Sequence, residues 1–162
     1  MTISNYWYFA YGSNLDIERM ATRSVEVYES VRCRLPGYRL VFNKKSSIVP
    51  GRTFANVIPD RNHEVWGVAY RCSAAAIESL DRFEGVSEGH YQRIPIDVLI
   101  EDGTSLNTQI YIACADFIAD YGIPTDDYIN LIIAGAIYHR LPEEYIHKIK
   151  EQITTLKMAG SK

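Results

Sequence analysis

Strand-prone segments follow one another through the first two-thirds of this chain, and long helical patterns are held back to the last third. That order limits the fold more than any other feature. A doubly wound parallel sheet needs a full crossover helix between successive strands, and here strands seldom alternate with helices of that length. The order predicts an α+β fold: a compact, mixed β-barrel-like sheet with flanking helices. The 162 residues fit a single domain spanning 1–162, long enough to bury most of its apolar surface.

The element boundaries are marked by turn and cap residues. Tyr6 to Tyr11 is an aromatic, β-prone run that stops at Gly12. A short helix follows through about Thr22, with Asn14 or Asp16 as its cap. Val31 to Lys44 reads as strand broken by a Pro36-Gly37 turn, and 46–53 as a loop. Phe54 to Ile58 and Glu64 to Cys72 read as two strands separated by a turn over Pro59 to Asn62. Ser73 caps a helix from Ala74 to Phe83, with Ala76, Ile77, Leu80 and Phe83 at helical spacing, and Gly85 ends it. Arg93 to Glu101 and Leu106 to Cys114 form a hairpin through Asp102-Gly103. Thr125 caps a helix to about His139, its core side carrying Ile129, Ile132, Ile133, Ala136 and Ile137. Pro142 opens a last helix to about Leu156, with Tyr145, Ile146, Ile149 and Ile153 inward, and the tail from Lys157 is expected to fray.

Charge and cysteine usage narrow the functional classes. The net charge is -3, and a pI near 5.8 supplies no footprint for nucleic acid or anionic lipid. Arg32, Arg34, Arg39, Lys44 and Lys45 are the nearest thing to a basic cluster, and they are spread along a strand. Cys33, Cys72 and Cys114 are odd in number and lack CxxC spacing, which reads as buried free thiols in a reducing compartment. His63, His90, His139 and His147 have no metal-ligand spacing, so no metal site is expected. Residues 1–11 lack the basic and long apolar regions of a signal peptide, and the apolar run at 131–137 is too short for a membrane span. The expectation is a cytoplasmic protein without nucleic-acid or membrane partners.

Two places can carry chemistry. In Tyr11-Gly12-Ser13-Asn14-Leu15 a strand enters a helix, so successive N–H groups can form an anion-binding nest, or the segment is a plain turn with an Asn cap. Glu84 lies four residues after Leu80 and seven after Ile77, on the inward face of its helix. Burial raises a carboxyl pKa and suits it to general acid–base work near neutrality. The alternative is a solvated Glu84 paired with Arg82 or Arg93. Tyr11, Tyr91, Tyr111 and Tyr128 are candidate cavity hydroxyls. P-loop and GxSxG spacings are absent.

Taken in order, these residues resemble the γ-glutamylcyclotransferase family, of AIG2-like fold. The match runs from Tyr8-Phe9-Ala10-Tyr11-Gly12-Ser13-Asn14-Leu15 through Glu64-Val65-Trp66-Gly67-Val68, Leu80-Asp81, Glu84-Gly85-Val86, Gly89 and Tyr91. It continues with Tyr111, Tyr128, Gly135, Leu141-Pro142 and Glu144-Tyr145. The resemblance implies an enzyme that turns a γ-glutamyl amino acid into 5-oxoproline and a free amino acid without a cofactor. It assigns Glu84 as base and acid, and Tyr11, Gly12, Ser13, Asn14 and Leu15 as pocket residues, with Tyr91, Tyr111 and Tyr128 beside them. Glutathione-specific relatives usually read Leu where this chain has Asn14. Other readings are a γ-glutamylamine cyclotransferase, a non-catalytic module binding γ-glutamyl or acidic ligands, and a structural dimer. The implied partner is a small γ-glutamyl molecule, with homodimer formation left open.

Overall fold

A computed structural model describes residues 5–160. Five strands close into a barrel in the order β1-β3-β2-β4-β5. β1 (Asn5–Ala10) pairs antiparallel with β3 (Thr53–Ser73), which pairs antiparallel with β2 (Val27–Lys45). β2 meets β4 (Tyr91–Ile100) at Cys33 and Arg34, and β4 forms the expected hairpin with β5 (Ser105–Ala113). A parallel pairing of β1 with β5 at Tyr8↔Gln109 shuts the barrel. Tyr8, Phe9 and Ala10 are buried in succession, because one face of β1 looks into the barrel and the other is covered.

Two expected turns are absorbed into strands. β2 runs through the Pro36-Gly37 segment and β3 through Pro59–Asn62, and their register jumps from Pro36↔Glu64 to Tyr38↔Pro59. Gly37 has φ +81. The pairing skips Gly37 on β2 and the four residues 60–63 on β3, an irregularity that suits the same residues as a turn: a proline without a donor and a glycine in the left-handed region.

The helices follow their caps. Asp16 Oδ1 accepts the Arg19 amide at 3.0 Å and starts α1 (Ile17–Thr22). Ser73 caps α2 (Ala74–Phe83), and Thr125 caps α3 (Asp126–Tyr138). α4 covers Glu143–Gly160 and passes the point where fraying was expected. Tyr121 donates to the Leu156 carbonyl at 3.1 Å, and Lys157 pairs with Asp126 at 2.7 Å, so the last turns are tied down. Residues 1–4 of the 1–11 segment expected to lack a signal peptide, and residues 161–162 of the 157–162 tail expected to fray, lie outside the described residues.

Two apolar positions expected in the core are exposed, Phe83 at 54% and Ile137 at 58%. The buried face of α3 is Ile129, Ile132, Gly135 and Ala136, and Ile137 lies about 100° round the helix from Ala136. Phe83 is the last residue of α2, its ring 5.0 Å beneath the Arg23 guanidinium. The three arginines of the basic stretch are taken up in pairs: Arg32 with Glu101, Arg34 with Glu64 and Arg39 with Asp60. Burial pushes the free Cys33 thiol up to about 12 and Cys72 up to about 11, which leaves both inert. No helix among the described residues is long and apolar enough to cross a membrane.

Gly135 belongs to the sequence pattern for a reason that spacing does not reveal. A Cβ there would lie 2.4 Å from the Leu15 carbonyl carbon and 2.6 Å from its Cβ. Glycine inside a helix is usually destabilising by roughly 0.5–1 kcal/mol relative to alanine. Here the sign reverses: Gly135→Ala is expected to destabilise by about 1–3 kcal/mol through overpacking. Urea denaturation checks this, and an unchanged or raised midpoint would contradict it.

Candidate active site

After Ala10 the chain leaves the barrel wall at Tyr11-Gly12 and turns through a 3₁₀ element, Ser13–Leu15. The Gly12 and Ser13 carbonyls accept from the Leu15 and Asp16 amides at 3.0 and 3.1 Å. The amides that open the turn have no partner within it. A Cβ on Gly12 would sit 3.3 Å from Ala55 Cβ and 3.5 Å from the Tyr128 hydroxyl, filling space beside the site.

Asp16 does the capping, so Asn14 is released for another task. Its Nδ2 donates to the Tyr8 hydroxyl at 2.9 Å and to Glu84 Oε1 at 3.2 Å, and its Oδ1 accepts from Arg23 Nη1 at 3.1 Å. This replaces the plain Asn-capped turn. Leu15 corrects a second expectation: it is fully buried and away from the cavity, packed under Gly135. Its carbonyl is 3.0 Å from His139 Nε2, and the Tyr70 hydroxyl donates to the Asn14 carbonyl at 2.9 Å. Leu15 thus anchors the turn rather than lining the pocket. Burial lowers the His139 pKa, leaving a neutral ring whose Nε2–H can donate to Leu15.

Glu84 occupies the C-cap of α2, its amide donating to the Leu80 carbonyl at 2.8 Å. Gly85 turns the chain at φ +65, a conformation that penalises residues bearing a Cβ. The Glu84 side chain is 17% exposed, and its Oε1 lies 3.3 Å from Arg23 Nη1. Among the described residues nothing donates to Oε2. Burial raises the carboxyl pKa. Arg23, Arg19 and the Asn14 hydrogen bond pull the other way without cancelling it. The alternative partners are otherwise engaged, Arg93 with Asp81 at 2.9 Å and Arg82 with Ser79 at 3.0 Å.

Glu84, Tyr8, Tyr11, Gly12, Ser13, Asn14, Tyr91, Tyr111 and Tyr128 all line one cavity of roughly 480 Å³. The tyrosines divide by what their hydroxyl protons do. Tyr11 donates to the Tyr111 carbonyl at 2.6 Å, Tyr91 to the Ala55 carbonyl at 2.7 Å and Tyr111 to Asp81 Oδ1 at 2.7 Å. These three form walls with their donors spent. Tyr8 and Tyr128 are acceptors instead, from Asn14 and from the Ala55 amide at 2.9 Å. Their own O–H groups have no acceptor among the described residues. Burial raises all five phenol pKa values, so each stays neutral at ordinary pH.

The model of the AIG2-like family matches residues 64–149, a span that includes Glu84, Tyr91, Tyr111 and Tyr128. A γ-glutamylcyclotransferase from Mus musculus is 33% identical over 90% of this chain and 77% of its own length. The chain belongs to the AIG2-like family of γ-glutamylcyclotransferases. The Homo sapiens γ-glutamylcyclotransferase is 32% identical over 90% of this chain and 78% of its own. A solved structure titled γ-glutamyl cyclotransferase superposes with a TM-score of 0.80 at 30% identity, over 91% of this chain and 87% of that one. The family fold and the closed barrel with flanking helices agree.

Several lining residues of this AIG2-like chain were not expected as site residues from the sequence: Tyr8, Arg19, Arg23, Lys44, Arg82 and His90. Arg19 and Arg23 had a usable signal, since they stand four apart, one in α1 and the other at its C-cap, a spacing that brings side chains together. The Nε of Arg19 is buried without a hydrogen-bond partner. Glu84 itself should cost stability. Its raised pKa means that the native state binds more protons than the unfolded one between the two pKa values. Stability therefore falls as pH rises through that window. Glu84→Gln is expected to melt at least as high as wild type at pH 7, with any gain shrinking toward pH 4.5. A lower melting temperature for the variant at pH 7 would contradict this.

Proposed function

We propose that this chain is a γ-glutamylcyclotransferase that converts a γ-glutamyl amino acid to 5-oxoproline and the free amino acid. The observation that carries the reading is the Glu84 carboxylate. One oxygen is fixed by Asn14 and Arg23, the other is unclaimed, and the group lines a cavity that raises its pKa. The names of relatives at 32–33% identity support the same activity.

The mechanism follows from the needs of the substrate. Its α-amine is protonated near neutral pH and cannot attack. Glu84 as carboxylate takes a proton through Oε2. The amine then adds to the γ-carbonyl of the same molecule and closes a five-membered lactam. Holding the glutamyl chain folded supplies orientation worth up to about 7–11 kcal/mol in favourable cases. The opening amides of the Ser13–Leu15 turn and the O–H groups of Tyr8 and Tyr128 are the donors available to the developing oxyanion or the α-carboxylate. Glu84 as acid then protonates the leaving nitrogen, and the second proton shed by the ring nitrogen ends on the released amine, so an ammonium substrate becomes a neutral lactam and an ammonium product. A carboxyl pKa raised by burial makes one group more serviceable in both directions. The free thiols of Cys33, Cys72 and Cys114 support a reducing, cytoplasmic setting for this chemistry.

Detection of 5-oxoproline by mass spectrometry tests the reading, with γ-glutamyl-alanine, glutathione and γ-glutamyl-ε-lysine as substrates. Turnover of γ-glutamyl-alanine is expected to exceed the other two, whereas preference for γ-glutamyl-ε-lysine would make the chain a γ-glutamylamine cyclotransferase. Glu84→Gln should lose at least about 10²-fold in rate while remaining folded. Near-wild-type turnover in that variant would remove Glu84 from the chemistry. In wild type, kcat/KM should fall as pH drops through the raised Glu84 pKa, because protonation removes the base. That limb should sit above the ordinary glutamate value of about 4.3. A limb at or below it would contradict the assignment.

A further inference from the structure

Lys44 is 4% exposed and lies on the cavity wall, yet among the described residues no carboxylate is within ion-pair distance of it. Burying an ammonium without a counter-ion is costly. What surrounds it reduces that cost only in part. Nζ stands 4.8 Å from the Phe117 ring centroid, 5.5 Å from Tyr91 and 5.6 Å from Phe54, distances at which aromatic faces attract a cation. Nζ is also 2.6 Å from His90 Nδ1. His90 is stacked on Phe117 with ring centroids 3.9 Å apart, and burial together with Lys44 holds its pKa down, so it serves as a neutral acceptor. An ammonium has three donors. One is used on His90, and the others have no acceptor among the described residues.

The location says which anion completes the site. The Tyr11–Leu15 turn and Glu84 mark the side where the glutamyl group reacts. Lys44 shares this cavity near the end of β2, close enough to feel the Glu84 charge, and the chain continues from there through Ser46, Ser47 and the 86%-exposed Ile48, an open margin of the lining. An amine that departs must leave by such an open margin. When the leaving group is an α-amino acid, its carboxylate sits one carbon from the leaving nitrogen. We propose that Lys44, steadied by His90, binds the carboxylate of the leaving amino acid and thereby selects γ-glutamyl α-amino acids over γ-glutamyl amines. This assignment rests on the cyclotransferase reading above. It also places the other substrates. In γ-glutamyl-ε-lysine the carboxylate is displaced to the far end of a side chain, and in glutathione that position is a neutral peptide group.

The test compares γ-glutamyl-alanine with γ-glutamyl-ethylamine, which differs only in carrying hydrogen in place of the carboxylate, in wild type, Lys44→Met and Lys44→Arg. A charge-assisted contact predicts that wild type favours the acid by roughly 10- to 100-fold in kcat/KM. Lys44→Met should collapse that ratio at least about tenfold, chiefly through KM for the acid, and Lys44→Arg should restore part of it. Equal losses on both substrates in Lys44→Met would show a framework role and overturn the proposal. A wild type without preference would overturn it too, independently of whether any variant folds, while leaving cyclotransfer intact. Turnover of neither substrate by folded wild type would overturn the cyclotransferase reading and this assignment together.

Discussion

The site depends on a backbone contact between two elements that meet only in the folded state. Gly135 of α3 approaches the carbonyl of Leu15 so closely that no side chain fits between them. Tyr70 from β3 and His139 from the end of α3 then hold the carbonyls of Asn14 and Leu15. With the turn fixed from behind, the Asn14 side chain points forward, where it reaches Tyr8, Arg23 and Glu84. Each step supports the next, and none of the residues behind the turn touches the cavity. Leu15, Tyr70, Gly135 and His139 are positioning residues in that sense: they act through Asn14.

Burial and charge oppose each other in the cavity. Arg19, Arg23, Lys44 and Arg82 line it against the acids Glu84 and Glu88. Such an excess of positive charge should lower a carboxyl pKa, and Arg23 and Arg19 do pull that of Glu84 down. Desolvation nonetheless prevails, which leaves a base that is strong enough to accept a proton and acidic enough to return it. The same cations suit a substrate carrying two carboxylates. The phenols contribute no charge, because burial keeps them protonated. A cavity walled by neutral hydroxyls and fixed cations can orient donors before the oxyanion forms, with little reorganisation when it does.

Features set by neighbouring residues were legible in the sequence. Ser73, Thr125, Asp102-Gly103 and Gly85 each act within a few positions, and each does what its residue type predicts. Glu84 was legible as an inward group because Ile77 and Leu80 define the same face. Distant partners were not legible. Pro36-Gly37 and Pro59 carry turn chemistry, and only the pairing of two long strands shows that they sit at a register shift within one ladder. Asn14 and Asp16 are both good caps, and the choice is made by Glu84 and Arg23, far along the chain. Lys44 and Lys45 look alike in sequence. A strand places neighbours on opposite faces, and only the aromatic surroundings of Lys44 reveal which lysine points inward.

The barrel is shut by the parallel pairing of β1 with β5 at Tyr8↔Gln109. β2 with β3, and β4 with β5, can pair with chain neighbours as soon as they are made, but this seam joins segments far apart in sequence and must close a long loop. The cavity straddles it, with Tyr8 and Tyr11 from one side and Tyr91 and Tyr111 from the other. During synthesis the Tyr11–Leu15 turn emerges long before β5 and α3, which hold it in place. The reactive geometry therefore arises late in folding, and a partly built chain presents the turn without the walls that would give it a ligand.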